Sequence, residues 1–201
     1  MSISRRRALQ VLGTVPAAAA ITWTPAEAAQ AHQHATQARR EAAAANTAYQ
    51  PKFFDAHEWK TVHVLADLVI PKDERSGSAT DAGVPEFMDF MMLDQPQRQV
   101  PMRGGLRWLD AESGRRFDKR FVDCAPAEQT ALLDDIAYPR KAAPGLTHGA
   151  AFFTSFRDLT ASGFWSSKMG IEDLQYMGNQ PTTWDGCPPA ALQKLGIKQY
   201  P

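Results

Sequence analysis

Between positions 55 and 162, large apolar side chains recur three or four residues apart, and proline and glycine punctuate the runs. The first run is Trp59, Val62, Leu65, Ala66 and Val69. Asp55 stands three residues ahead of Glu58, the spacing of a capping box, and Pro71 stops the helix they predict. Residues 72–83, KDERSGSATDAG, are polar and carry Gly77 and Gly83, which predicts a loop. Pro85 opens a second helix with the stripe Val84, Phe87, Met88, Met91 and Met92. A third is predicted from Pro101 or Gly104 to Phe121, with Leu106, Leu109, Ser113, Phe117 and Phe121 on one side. A fourth starts at Pro126, buries Leu132, Leu133 and Ile136, and ends before Pro139. A fifth, from about Gly149 to Ser162, carries Phe152, Phe153, Phe156 and Leu159. From Gly163 the periodicity fades into an aromatic stretch, GFWSSKMGIEDLQYMGNQPTTWDGCPP, followed by a short helix from Pro189 to Leu195 with Gly196 as its stop. No stretch alternates like a strand. The pattern predicts an all-α fold over residues 53–201: a small irregular helical bundle with a loop-rich aromatic C-terminal segment.

The chain ahead of this domain is patterned differently. Residues 29–52 are rich in Ala, Gln and charge, with no large apolar stripe, which predicts a linker or an exposed helix. Residues 1–28 read as an export signal. Ser4-Arg5-Arg6-Arg7-Ala8-Leu9-Gln10 matches the twin-arginine pattern at Ser, both arginines (Arg5, Arg6) and Leu, while Ala8 and Gln10 depart from it. A moderately apolar, Ala-rich run follows, too short and too interrupted for a membrane span. Ala26-Glu27-Ala28 then offers a small-x-small cleavage site, with the cut between Ala28 and Ala29. The expected route is the twin-arginine translocase and the expected location the periplasm, with membrane association through a partner. That route carries folded passengers, so this signal is expected to export a complex.

Charge narrows the function classes. The 22 basic and 22 acidic residues balance, and loss of residues 1–28 leaves a slightly negative chain, which excludes a nucleic-acid surface. The two cysteines, Cys124 and Cys187, form neither CxxC nor CxxCH and cannot hold a four-thiolate cluster. In an oxidising compartment they are a candidate disulfide. His32 and His34 lie two apart, and His57 and His63 point about 240° apart on one helix, so neither pair shares a metal there. His63 and Asp67 are spaced to pair on one face. Asp73, Glu74 and Asp81 lack the order of a calcium loop. A basic cluster (Arg103, Arg107, Arg115, Arg116, Lys119, Arg120) reads as a solvated helix face. GxGxxG, P-loop, GxSxG and HExxH are absent. No residue is assigned as catalytic, cofactor-binding or metal-binding. Trp165, Tyr176, Met177 and Trp184 are the candidate interface residues, because Trp and Tyr dominate contact hot spots.

Two segments carry a resemblance: Leu65-Ala66-Asp67-Leu68-Val69-Ile70-Pro71-Lys72-Asp73 and Ala79-Thr80-Asp81-Ala82-Gly83-Val84-Pro85-Glu86-Phe87-Met88-Asp89. Over about residues 55–196 the chain resembles the gluconate 2-dehydrogenase subunit 3 family, the small subunits of flavin-dependent GMC-type sugar and polyol dehydrogenases. Gly163-Phe164-Trp165 through Trp184-Asp185-Gly186 is similar to a branch accompanying dehydrogenases proposed to make 3-keto sugars. Ser76-Gly77-Ser78 stands where that family often has a Pro-containing turn. The resemblance implies a helical subunit without a cofactor of its own. It implies FAD in a large partner, joined in some complexes of the family by haem in a third, c-type cytochrome subunit, and a role in folding, stabilising and co-exporting the flavoprotein. Two alternatives stay open at this point. Trp165, Tyr176 and Trp184 would contribute to a shared active site or electron path, or the chain is an independent periplasmic binding protein.

Overall fold

The computed structural model describes residues 25–178 and 186–196. Among the described residues, eight α-helices run in order: α1 Pro25–Ala44, α2 Ala56–Val69, α3 Val84–Asp94, α4 Gln99–Phe117, α5 Pro126–Ile136, α6 Thr147–Trp165, α7 Lys168–Asp173 and α8 Pro189–Lys194. Short 3-10 turns at Pro96–Arg98, Phe121–Asp123 and Pro144–Leu146 join them, and the described residues contain no strand. The fold is all-α, as the pattern predicts.

Local chemistry sets the helix ends. The Asp55 carboxylate accepts from the His57 and Glu58 amides at 2.8 and 2.7 Å, and Glu58 Oε2 accepts from the Asp55 amide at 3.1 Å. This reciprocal box satisfies donors that the first helical turn leaves orphaned. At Gly83, φ is +84°, a left-handed conformation that lets the chain turn straight into Val84 and Pro85. The third predicted helix starts earlier and ends sooner than expected. Pro101 is tolerated because it lies in the first turn of α4, where amides have no intrahelical partner. Asp118 takes the left-handed cap (φ 56°), so Phe121 enters the core from a 3-10 turn instead of from α4.

The α6 helix is the hub, touching α1, α2, α3, α4, α5 and α7. Phe156 and Phe164 on it are fully buried with Val62, Leu65, Phe87, Met88, Met92, Leu109, Leu132 and Ile136. The predicted stripes are therefore the core. Glycines bring the helices close: a Cβ on Gly105 would lie 1.8 Å from the Phe152 ring, and one on Gly149 would lie 2.1 Å from Trp108. Each accepts a neighbour's ring where any side chain would collide.

Of the segment read as a linker or an exposed helix, the part up to Ala44 belongs to α1, which is mostly exposed and covered along one face. It packs on α3 and α6 with Ala28, Ala31 and Ala35 only 6%, 2% and 3% exposed. The stripe is made of methyl groups, which is why it carries so little periodic contrast. His34 stacks on Phe90 (4.9 Å, 10°), and the Arg39 side chain reaches Glu86 and the Asp81 carbonyl.

Candidate functional site

From the end of α6 past α7, exposed large apolar side chains are denser along the chain than elsewhere among the described residues. Trp165, Ile171, Leu174, Tyr176 and Met177 all reach solvent, Met177 at 81% exposure. Two devices shape this stretch. Ser167 caps α7, its hydroxyl accepting from the Gly170 amide at 2.9 Å. Gly170 lies so close to the end of α6 that a Cβ there would be 2.1 Å from the Phe164 carbonyl oxygen. The chain therefore reverses tightly after Trp165, burying Phe164 and leaving Trp165 outside, edge-on to it at 5.0 Å. Gln175 adopts φ 54°, which turns the chain again before Tyr176.

This stretch is tied to the polar loop of residues 72–83. Arg75 pairs with Asp173 (3.2 Å) and also donates to the Asp173 carbonyl. The loop acids face their own backbone. Asp73 accepts from the Arg75 and Ser76 amides, both at 2.8 Å, and these bonds pull its carboxyl below the ordinary range. Asp81 accepts from the Ser78 amide at 3.0 Å, and Asp67 from the Thr80 amide at 2.8 Å. They act as local scaffolding. Asp89 has the largest such role. Fully buried, it accepts from Tyr49 Oη, the Lys52 amide and the Phe53 amide, each at 2.9 Å, and from the Phe54 amide at 3.3 Å. Burial, with the Asp89 carboxylate alongside, pushes the Tyr49 phenol well above its usual range.

The histidines are dispersed. His57 Nε2 lies 2.5 Å from Asp110, whose other oxygen accepts from the Phe121 amide. His63 Nδ1 sits 2.9 Å from the Trp59 carbonyl, so the expected His63–Asp67 pair is not made. His63 and Trp59 instead line a shallow open groove of about 450 Å³ with Lys60, Val64, Val122 and Asp123. Among the described residues, no group of three or more His, Cys, Asp or Glu is placed to hold a metal. The basic cluster is largely neutralised in place. Arg115 and Arg116 share Glu112, Arg116 also reaches Asp135 (2.6 Å), Lys119 pairs with Glu128, and Arg103 lies over the Phe53 ring. Cys124 is buried, Cys187 is exposed, and both are free thiols, so the candidate disulfide is not formed in this structure.

Trp165, Tyr176 and Met177 thus lie in one exposed stretch of chain, which also holds the exposed Ile171 and Leu174. Trp184, Arg5 and Arg6 lie outside the described residues. Ala28 and Ala29 fall inside α1. No helix among the described residues is long and apolar enough to cross a membrane.

The described residues form an α-helical scaffold whose acids Asp67, Asp73, Asp81 and Asp89 bind backbone amides, with exposed apolar side chains clustered in sequence between Trp165 and Met177. Residues 56–186, about two thirds of the chain, match the family Gluconate 2-dehydrogenase subunit 3, and the chain belongs to that family. It is an accessory subunit of that type, part of a multi-subunit dehydrogenase complex. No curated protein and no solved structure matches the chain.

Proposed function

We propose that the chain is the small subunit of a periplasmic FAD-dependent sugar or glucoside dehydrogenase, and that it supports folding, stability and co-export of the large flavoprotein. FAD then resides in a GMC-type partner, and a c-type cytochrome takes the electrons. Membership of the subunit 3 family carries this reading. The exposed apolar stretch from Trp165 to Met177 supports it, because clustered exposed aromatic and aliphatic side chains mark contact surfaces. Arg5 and Arg6 support export of the assembled pair by the twin-arginine translocase.

Co-expression with the flavoprotein, followed by pull-down from the periplasm, tests this. The captured partner is expected to show flavin absorbance. Replacing Trp165, Tyr176 and Met177 together by Ser is expected to cut its recovery by tenfold or more, on the order of the energy a hot-spot cluster supplies. The fold is expected to survive, since the three side chains are solvent-exposed. A monomeric chain, folded and alone in the periplasm, refutes the reading. Lost turnover with assembly and FAD content intact would place the stretch in shared chemistry instead. A 3-keto sugar as the product would assign the glucoside branch.

A further inference from the structure

The bond expected to be cut on export, between Ala28 and Ala29, lies in the first turns of α1. A peptidase acts on locally opened, extended chain, so a junction held in a docked helix is cut only through an opening fluctuation. The side chain that a pocket for small residues must receive is Ala28, and it is 6% exposed. Downstream, Ala31 and Ala35 belong to the main core cluster. His34 on Phe90 and Arg39 on Glu86 add side contacts.

The same interface is weakly built. Its apolar face is alanine, so little area is buried per turn. The Arg39 contacts are long, 3.5 Å to Glu86 and 3.4 Å to the Asp81 carbonyl. His32 Nδ1 and Glu86 Oε2 are buried without a hydrogen-bond partner. Unsatisfied buried polar atoms oppose docking. Helices of this kind open at the low-energy end of a protein's fluctuations.

We propose that α1 is a detachable strap that gates removal of the N-terminal segment. While α1 is docked, the segment stays on the folded subunit. Only an undocked α1 lets water, under a membrane-bound signal peptidase, split the Ala28–Ala29 amide into an Ala28 carboxylate and an Ala29 amine. A passenger that folds before transport meets the peptidase with its junction already covered. The inference rests on the export reading for its setting, and the assay below does not depend on it.

Purified full-length chain, alone and in complex, is incubated with signal peptidase in detergent, and the products are identified by intact mass. Ala35→Glu puts a carboxylate into the buried stripe without touching the junction. Arg39→Ala is a milder variant that removes the long contacts. A peptide spanning residues 20–40 serves as the undocked reference. Cutting after Ala28 is expected to be at least about tenfold faster in Ala35→Glu and in the peptide than in the native chain, with Arg39→Ala between them. The melting of the bundle under the same conditions separates undocking from global unfolding. Equal rates for native chain and peptide overturn the proposal. So does failure of the peptide to be cut after Ala28, which would show that this bond is no substrate. Replacement of Arg5 and Arg6 by Lys, scored by periplasmic yield, tests the export reading separately.

Discussion

The buried Asp89 carboxylate offers the sharpest test of what the family's motif acids do. It receives four hydrogen bonds from the segment that leads from α1 into α2. Replacing Asp89 by Ala strands the amides of Phe53 and Phe54, both buried, and frees the Lys52 amide and the Tyr49 hydroxyl. An unsatisfied buried donor costs about 1–3 kcal/mol, and the penalties are partly relieved by relaxation and by no longer burying a charge. The net loss expected is about 3–5 kcal/mol. Tyr49→Phe removes a single charge-assisted bond from a partly exposed ring, and about 1–2 kcal/mol is expected. Asp89→Asn falls between them: one amide oxygen still serves Phe53 and Phe54, while the NH2 group confronts the Lys52 amide. Urea unfolding followed by far-UV circular dichroism gives these differences directly. The largest corresponds to a melting point lower by about 10 °C in a domain of this size. A loss below about 1 kcal/mol for Asp89→Ala would refute the anchoring role. So would a Tyr49→Phe cost above that of Asp89→Ala.

Other outcomes follow from local geometry. Hydrogen bonds from Arg115 and the nearby Arg116 hold the Glu112 carboxyl down at about 2, against an ordinary value of 4.5. A depressed carboxylate stabilises the fold above pH 4.5, and that contribution drains away as pH falls toward 2. Because Arg115 is mostly exposed, the contribution is about 1–2 kcal/mol, and Glu112→Gln is expected to lower pH 7 stability by that amount and flatten the acid limb of a pH titration of the unfolding midpoint. Gly170→Ala drives a Cβ into the Phe164 carbonyl, so amide protection over residues 168–174 is expected to fall in hydrogen exchange, and partner recovery with it. Unchanged protection there would disprove the tight turn. Burial pushes the Cys124 thiol up, so alkylation at neutral pH is expected at Cys187 first, with both thiols countable by mass without reduction. A single prior oxidation product lacking both thiols would contradict this.

Where a helix buries large side chains, the sequence showed it. The Trp59–Val69, Val84–Met92 and Leu132–Ile136 stripes all lie within or against the core. The packing of α1 was not legible because Ala28, Ala31 and Ala35 are no more apolar than the Ala residues around them. Gly149 and Gly163 misled differently. Both looked like helix boundaries, yet both lie inside α6, where Trp108 and Phe87 occupy the space a side chain would take. The candidate interface was legible only as composition. Its placement depends on Arg75 reaching Asp173 across 98 positions, and no local pattern encodes that contact. The acids of the resemblance segments were legible as positions but not as roles, because Asp67 and Asp89 answer to backbone amides 13 and 35–37 residues away.

The central place of α6 also sets a schedule for biosynthesis. The α1 and α3 helices rest on a helix that is made late in the chain. At the usual 5–20 residues per second, roughly 10 s pass between the synthesis of α1 and that of α6. Throughout that interval the N-terminal helices lack the share of their covering surface that α6 supplies. The nascent chain therefore exposes Met- and Phe-rich faces to any holding chaperone, and the N-terminal arginines leave the ribosome well before the bundle can close. The surface that α6 supplies to α1 and α3 becomes available only once residues 147–165 have been made.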